Sequence, residues 1–110
     1  MTQSRVYSRY SREAAALMGK MILLYRREKK FTTQDLADRA GISRITLQKI
    51  EKGDMKCEIG LVFEVATLVG IKLFETDTMS IGSLDKKIED KIALLPKSIR
   101  TPKGQVKDDF

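Results

Sequence analysis

Few side chains in this sequence have bond-making chemistry to offer. There is no histidine among the 110 residues and a single cysteine, Cys57. The commonest zinc and iron ligand is therefore missing, as is the base of the usual nucleophile–histidine pairs. One cysteine makes no intrachain disulfide, and a metal site needs several ligands. The expectation is a binding protein, with no catalytic residue, no metal and no cofactor. What the chain does carry is hydrogen-bonding and cationic chemistry, gathered in Thr32–Gly53. There stand the hydroxyls of Thr33, Ser43 and Thr46, the amides of Gln34 and Gln48, the guanidinium of Arg44 and the ammonium of Lys49. The paired donors of Arg44 match guanine O6 and N7, Lys49 reaches a guanine or a phosphate, and Thr46 fits a thymine methyl.

The charge balance points the same way. The net charge is +6, but residues 1–56 carry +7 and residues 57–110 carry −1. A basic N-terminal half favours a polyanion, most simply a nucleic acid, although basic segments are often no more than solvated faces. Apolar clusters are broken by Lys20 or Arg26, short of the roughly 18 residues that span a bilayer. The N-terminus has arginines but no apolar stretch ahead of a cleavage site, so no signal peptide is expected and the cytoplasm is the expected compartment.

The elements that must position these groups follow from periodicity. Residues 1–11 read as a flexible arm. A helix starts near Ser11, with Ala14, Leu17, Met18, Met21, Ile22, Leu24 and Tyr25 in one apolar stripe and Leu23 outside it. Leu23 is then either a singly exposed leucine or a partner contact. Thr32-Thr33-Gln34-Asp35 reads as a capping box opening a short helix with Leu36, Ala37 and Ala40 inward. Gly41 stops it, Ser43 caps the next helix, Leu47 and Ile50 face inward, and Gly53 ends it. A fourth helix fits Glu58–Val69. Ile71–Glu75 alternates apolar and polar and reads as a short strand; paired with its copy across a two-fold axis, it makes Ile71, Leu73 and Phe74 dimerisation residues. Asp77–Ser83 reads as a linker and Leu84–Leu95 as an amphipathic helix ended by Pro96. The tail, 97–110, is polar and expected to be flexible. The domain boundaries are thus 1–11, 12–76, 77–96 and 97–110.

Two short helices meeting steeply over a tight turn need a small residue where they touch, a glycine at the turn and apolar anchors inside. Ala37, Gly41, and Leu36, Ile42, Leu47 and Ile50 meet those demands at the right offsets; a generic helical core has no particular use for the closely spaced Ala37 and Gly41. The run T-T-Q-D-L-A-D-R-A-G-I-S-R-I-T-L-Q-K-I-E-K-G at Thr32–Gly53 resembles the Cro/C1 (Xre-type) helix-turn-helix, and A-T-L-V-G-I at Ala66–Ile71 is similar to the end of that family's fourth helix. The resemblance spans about Gly19–Phe74. It implies an all-α bundle of four to five helices, here with the short C-terminal strand added, and a dimer on palindromic DNA. By position it places Ser43–Lys52 in the major groove, with Arg44, Ile45, Thr46 and Lys49 facing bases and Ser43 and Gln48 near the edge. Ile45 offers only apolar contact there, or packs against the protein. Thr33 and Gln34 are expected at phosphates. The family more often has glutamine at Thr33, proline at Cys57 and Ser/Thr at Glu58.

A narrower resemblance lies outside the motif. Y-S-R-Y-S-R-E-A near the N-terminus, I-K-L-F-E, and A-L-L-P-K-S-I-R-T-P-K-G-Q-V-K-D-D-F at the end look like HipB-type antitoxins paired with HipA-like kinase toxins. That resemblance implies an autoregulating repressor that also binds a HipA-like Ser/Thr kinase through its C-terminal helix and tail. The alternatives are an antitoxin that chiefly restrains the kinase, and a plain Xre-type repressor with no toxin partner.

Overall fold

Each helix begins where a short hydroxyl or acidic residue stands before a run of helix formers. The computed structural model describes residues 5–98 and contains five helices among them, with no strand. The chain divides into two compact units after Lys72. The first holds α1 (Arg9–Glu28), α2 (Thr33–Ala40), α3 (Arg44–Glu51) and α4 (Ile59–Leu68); the second holds α5 (Ile81–Ala93).

Hydroxyl caps set four of the five starts. Ser8 Oγ accepts from the Ser11 amide at 3.2 Å, so α1 opens at Arg9 and takes in part of the stretch expected as an arm. Thr32 Oγ1 accepts from the Asp35 amide at 3.0 Å while an Asp35 carboxylate oxygen accepts from the Thr32 amide at 2.9 Å, completing the capping box. Ser43 and Ser80 cap α3 and α5 in the same way. Only Glu58 makes no side-chain cap. Because Ser80 is a cap, α5 starts at Ile81, inside the stretch read as a linker. Gly41 ends α2 at φ 69°, a left-handed conformation that other residues adopt only at a cost.

The core of the first unit is built from Ile22 of α1, Leu36 and Ala37 of α2, Leu47 and Ile50 of α3, and Val65 and Ala66 of α4, closed by Val69 and Ile71. Leu36, Ala37, Leu47 and Ile50 are inward positions read from periodicity in α2 and α3. In α1 the reading holds for Ile22, which is buried, and for Met18, Met21 and Tyr25, which pack against the core, and needs correction for the rest. The packed face of this helix centres on Gly19, Ile22 and Arg26, whereas Ala14, Leu17 and Leu24 of the expected stripe are exposed. Leu23, expected outside, is half-buried. The cause is steric: a Cβ on Gly19 would lie 2.6 Å from the Ile50 carbonyl oxygen and closer still to that of Glu51. Glycine therefore lets α1 lie directly on the C-terminal end of α3, which fixes the rotation of the long helix.

The expected strand is also corrected. Leu73 and Phe74 form a turn, and Ile71 is a core residue, 6% exposed, its amide donating to the Ala66 carbonyl at 2.9 Å. That bond ties Ile71 to the end of α4 as a helix-terminating contact, and its side chain is spent inside the first unit. Leu73 and Phe74 remain exposed.

Candidate nucleic-acid interface

The site starts from the burial pattern of α3. Leu47 and Ile50 are buried, so the opposite side of this eight-residue helix carries Arg44, Ile45, Gln48 and Lys49 into solvent, and Lys52 is exposed at its C-cap. Ile45 is 64% exposed. The alternative in which it packs against the protein is therefore not what this chain adopts; it presents an apolar side chain between cationic neighbours. Thr46 sits differently from expectation. It is half-buried, its amide donates to Ser43 Oγ at 3.0 Å, and its Oγ1 accepts from Ser43 Oγ at 2.9 Å. Ser43 and Thr46 thus share the capping of α3, while Gln48 stands on the exposed face.

The start of α2 lies beside this surface in the chain, and α2 packs on α3. Thr33 is half-buried and Gln34 exposed in its first turn. The Gln34 side-chain amide donates to an Asp38 carboxylate oxygen at 2.7 Å, which orients it along the helix. The Asp35 carboxyl is held below its ordinary value by the hydrogen bond from the Thr32 backbone, then by that from the Thr32 side chain, with Arg39 adding attraction. Arg39 also lies over the Phe31 ring, 4.3 Å from its centre.

One group that the sequence reading passed over holds the arrangement together. Arg26 of α1 is 7% exposed. Its Nε donates to Glu51 Oε2 at 2.7 Å and its Nη2 to Glu51 Oε1 at 3.2 Å, a two-pronged pair with the last residue of α3. Its Nη1 donates to the Phe31 carbonyl at 2.9 Å, in the turn leading to α2. A single guanidinium therefore fixes α1, the entry to α2 and the end of α3. The signal in the sequence is an arginine four residues after Ile22, on the same helical face.

Chemically the exposed face of α3 is a short ridge of donors around one isoleucine. It offers a guanidinium for paired acceptors, an amide that both donates and accepts, and ammonium groups at its rim. Such a ridge fits a groove lined with acceptors and methyl groups. Burial raises the Cys57 thiol above its ordinary value, so at neutral pH it stays protonated. Among the described residues no group of three or more potential metal ligands occurs, and no helix is long and apolar enough to cross a membrane.

Comparison with known proteins agrees with this geometry. The family model described as "Helix-turn-helix" matches residues 22–75. An uncharacterized HTH-type transcriptional regulator of Methanocaldococcus jannaschii is 36% identical over 56 residues, which cover 51% of this chain and 85% of that protein. Among solved structures, HipB in an O2 20mer complex superposes with a TM-score of 0.51 at 17% identity, covering 71% of this chain and all of that one. HipB in a HipA-HipB-O2-O3 complex does so at 0.51 and 18%, covering 70% of this chain and again all of the other. These two share the fold. With α2, the Gly41 turn and α3 forming the matched core, the chain belongs to the Cro/C1-type helix-turn-helix family of transcriptional regulators.

Proposed function

We propose that this protein is a sequence-specific transcriptional repressor that binds palindromic operator DNA as a homodimer and reads it with the exposed face of α3. The observation that supports this most directly is the segregation on α3: Leu47 and Ile50 are buried while Arg44, Ile45, Gln48 and Lys49 stand free on the other side. Arg44, Ile45, Thr46 and Lys49 are the base-facing set, Arg44 pairing with a guanine. Thr46 presents its methyl, since its hydroxyl serves the cap. Thr33, Gln34, Ser43 and Gln48 serve the edge and the phosphates. Its place of action is the cytoplasm, where its operator is.

The test is Arg44→Ala. Affinity for the preferred duplex should fall by about 1–3 kcal/mol and base preference at one position should relax, while binding to random duplex changes less. Equal losses on both duplexes in a fluorescence titration would remove Arg44 from the base-reading set.

A finer reading has its own support. Two of the similar solved structures are HipB complexes, one of them with HipA. The second unit of this chain carries a helix, α5, with Ile81, Ile88 and Ile92 exposed. On this reading the protein is an autoregulating antitoxin whose C-terminal segment binds a HipA-like Ser/Thr kinase. Co-purification with a HipA-like kinase encoded beside it is the expected result. Failure to bind that kinase at micromolar concentration leaves a plain repressor.

A further inference from the structure

The long first helix has two apolar faces, and the fold uses one. Gly19, Ile22 and Arg26 pack inward. Away from that face run Tyr10, Ala14, Leu17, Met21 and Leu24, spaced alternately four and three residues apart; all are exposed except Met21, which is half-buried and also packs against the core. Tyr10 is 80% exposed, Leu17 59% and Leu24 54%. This is the seam spacing of paired helices, and a helix apolar on both sides is ordinarily covered on both. Arg9–Met21 lies ahead of the residues that the helix-turn-helix family model matches, so the DNA-binding core accounts for little of this face.

The flanks say what covers it. One flank carries Arg9, Glu13, Lys20 and Arg27, the last three seven residues apart; the other carries Ser11, Met18 and Tyr25, is uncharged, and borders the core through Met18 and Tyr25. In a parallel pair of identical helices each charged flank would meet the uncharged one. In an antiparallel pair like flanks meet, and Glu13 of each copy faces Lys20 of the other, twice by symmetry. Glu13 already pairs with Arg9 one turn away at 3.0 Å, an exposed contact that a second copy would extend into a network.

We propose that the Tyr10–Leu24 face of α1 is the self-association surface of this protein, pairing antiparallel with α1 of a second copy. It deepens the homodimer reading by assigning the contact to α1 in place of the Ile71–Glu75 segment, whose Ile71 is consumed by the core. The test uses the full-length chain in sedimentation equilibrium, with helix content followed by circular dichroism. The wild type should sediment as a dimer, and Leu17→Asp, on an exposed site, should keep its helix content and weaken the dimer by roughly a hundred-fold or more. Glu13→Lys should weaken it a few-fold and the double variant E13K/K20E should restore it. A wild type that is monomeric throughout overturns both the dimer reading and this one. A dimer unaffected by Leu17→Asp, or one dissociated instead by Phe74→Asp or Ile88→Asp, overturns the α1 contact and leaves the dimer standing. If E13K/K20E fails to restore what E13K loses, the antiparallel arrangement is wrong.

Discussion

At the scale of single residues, the decisive group is one that touches no ligand in the proposed function. Arg26 and Glu51 each keep only 9% of their side-chain surface exposed. Buried charge of this kind is tolerated because both oxygens of Glu51 accept and the remaining Arg26 donor finds the Phe31 carbonyl. Removing one partner strands the other. Glu51→Ala should therefore cost about 3–5 kcal/mol, whereas the apolar pair Arg26→Met with Glu51→Leu should cost clearly less than the sum of the two single changes. Chemical denaturation of the four proteins closes that cycle; strict additivity would mean that the pair is not coupled. By contrast, the proposed reading residues Arg44, Ile45 and Lys49 are exposed and contribute little to stability. Arg44→Ala should leave the unfolding midpoint almost unchanged while weakening operator binding, which separates reading from scaffolding.

At the scale of elements, the caps matter more than the propensities. Helix α2 has only eight residues and would not persist alone; its start is fixed by the reciprocal Thr32–Asp35 bonds. Thr32→Ala should cost about 1 kcal/mol of stability in thermal unfolding. Asp35 adds a pH signature. Its folded value lies below the ordinary 3.8. Its contribution is therefore fully present above that value and is lost as the pH falls through the lower folded value. Asp35→Asn should flatten the acid limb of the stability curve below the ordinary carboxylate range and leave its shape near neutrality unchanged. An identical acid limb in the variant would show that the loss of stability in acid arises elsewhere.

At the scale of the whole molecule, the division after Lys72 separates the two proposed tasks. The first unit holds the core and the helix-turn-helix, so a chain ending at Thr76 should unfold cooperatively and keep its affinity for the preferred duplex. It should lose binding to a HipA-like kinase if the antitoxin reading holds, because α5 is gone. Side-by-side titrations of the full and shortened chains with DNA and with the kinase measure both. A large loss of DNA affinity on truncation would mean that the second unit takes part in the complex.

What the sequence determined by itself is mostly local. The capping box at Thr32, the glycine turn at Gly41 and the Ser43 cap depend on neighbours three or four residues away, and so were legible without tertiary structure. So were the family and the inward positions Leu36, Leu47 and Ile50, since a period of 3.6 identifies a face when one face alone is apolar. Helix α1 is apolar on two sides, and periodicity cannot then say which side the core takes. Only the close approach of Gly19 to the end of α3 decided that, leaving Leu17 and Leu24 outside. The same holds for Ile71, whose alternating surroundings suggested a strand until its amide was found on the Ala66 carbonyl. Arg26 and Glu51 lie 25 residues apart. No local rule pairs them; only the packing of α1 across α3 does, because burial makes each charge require the other.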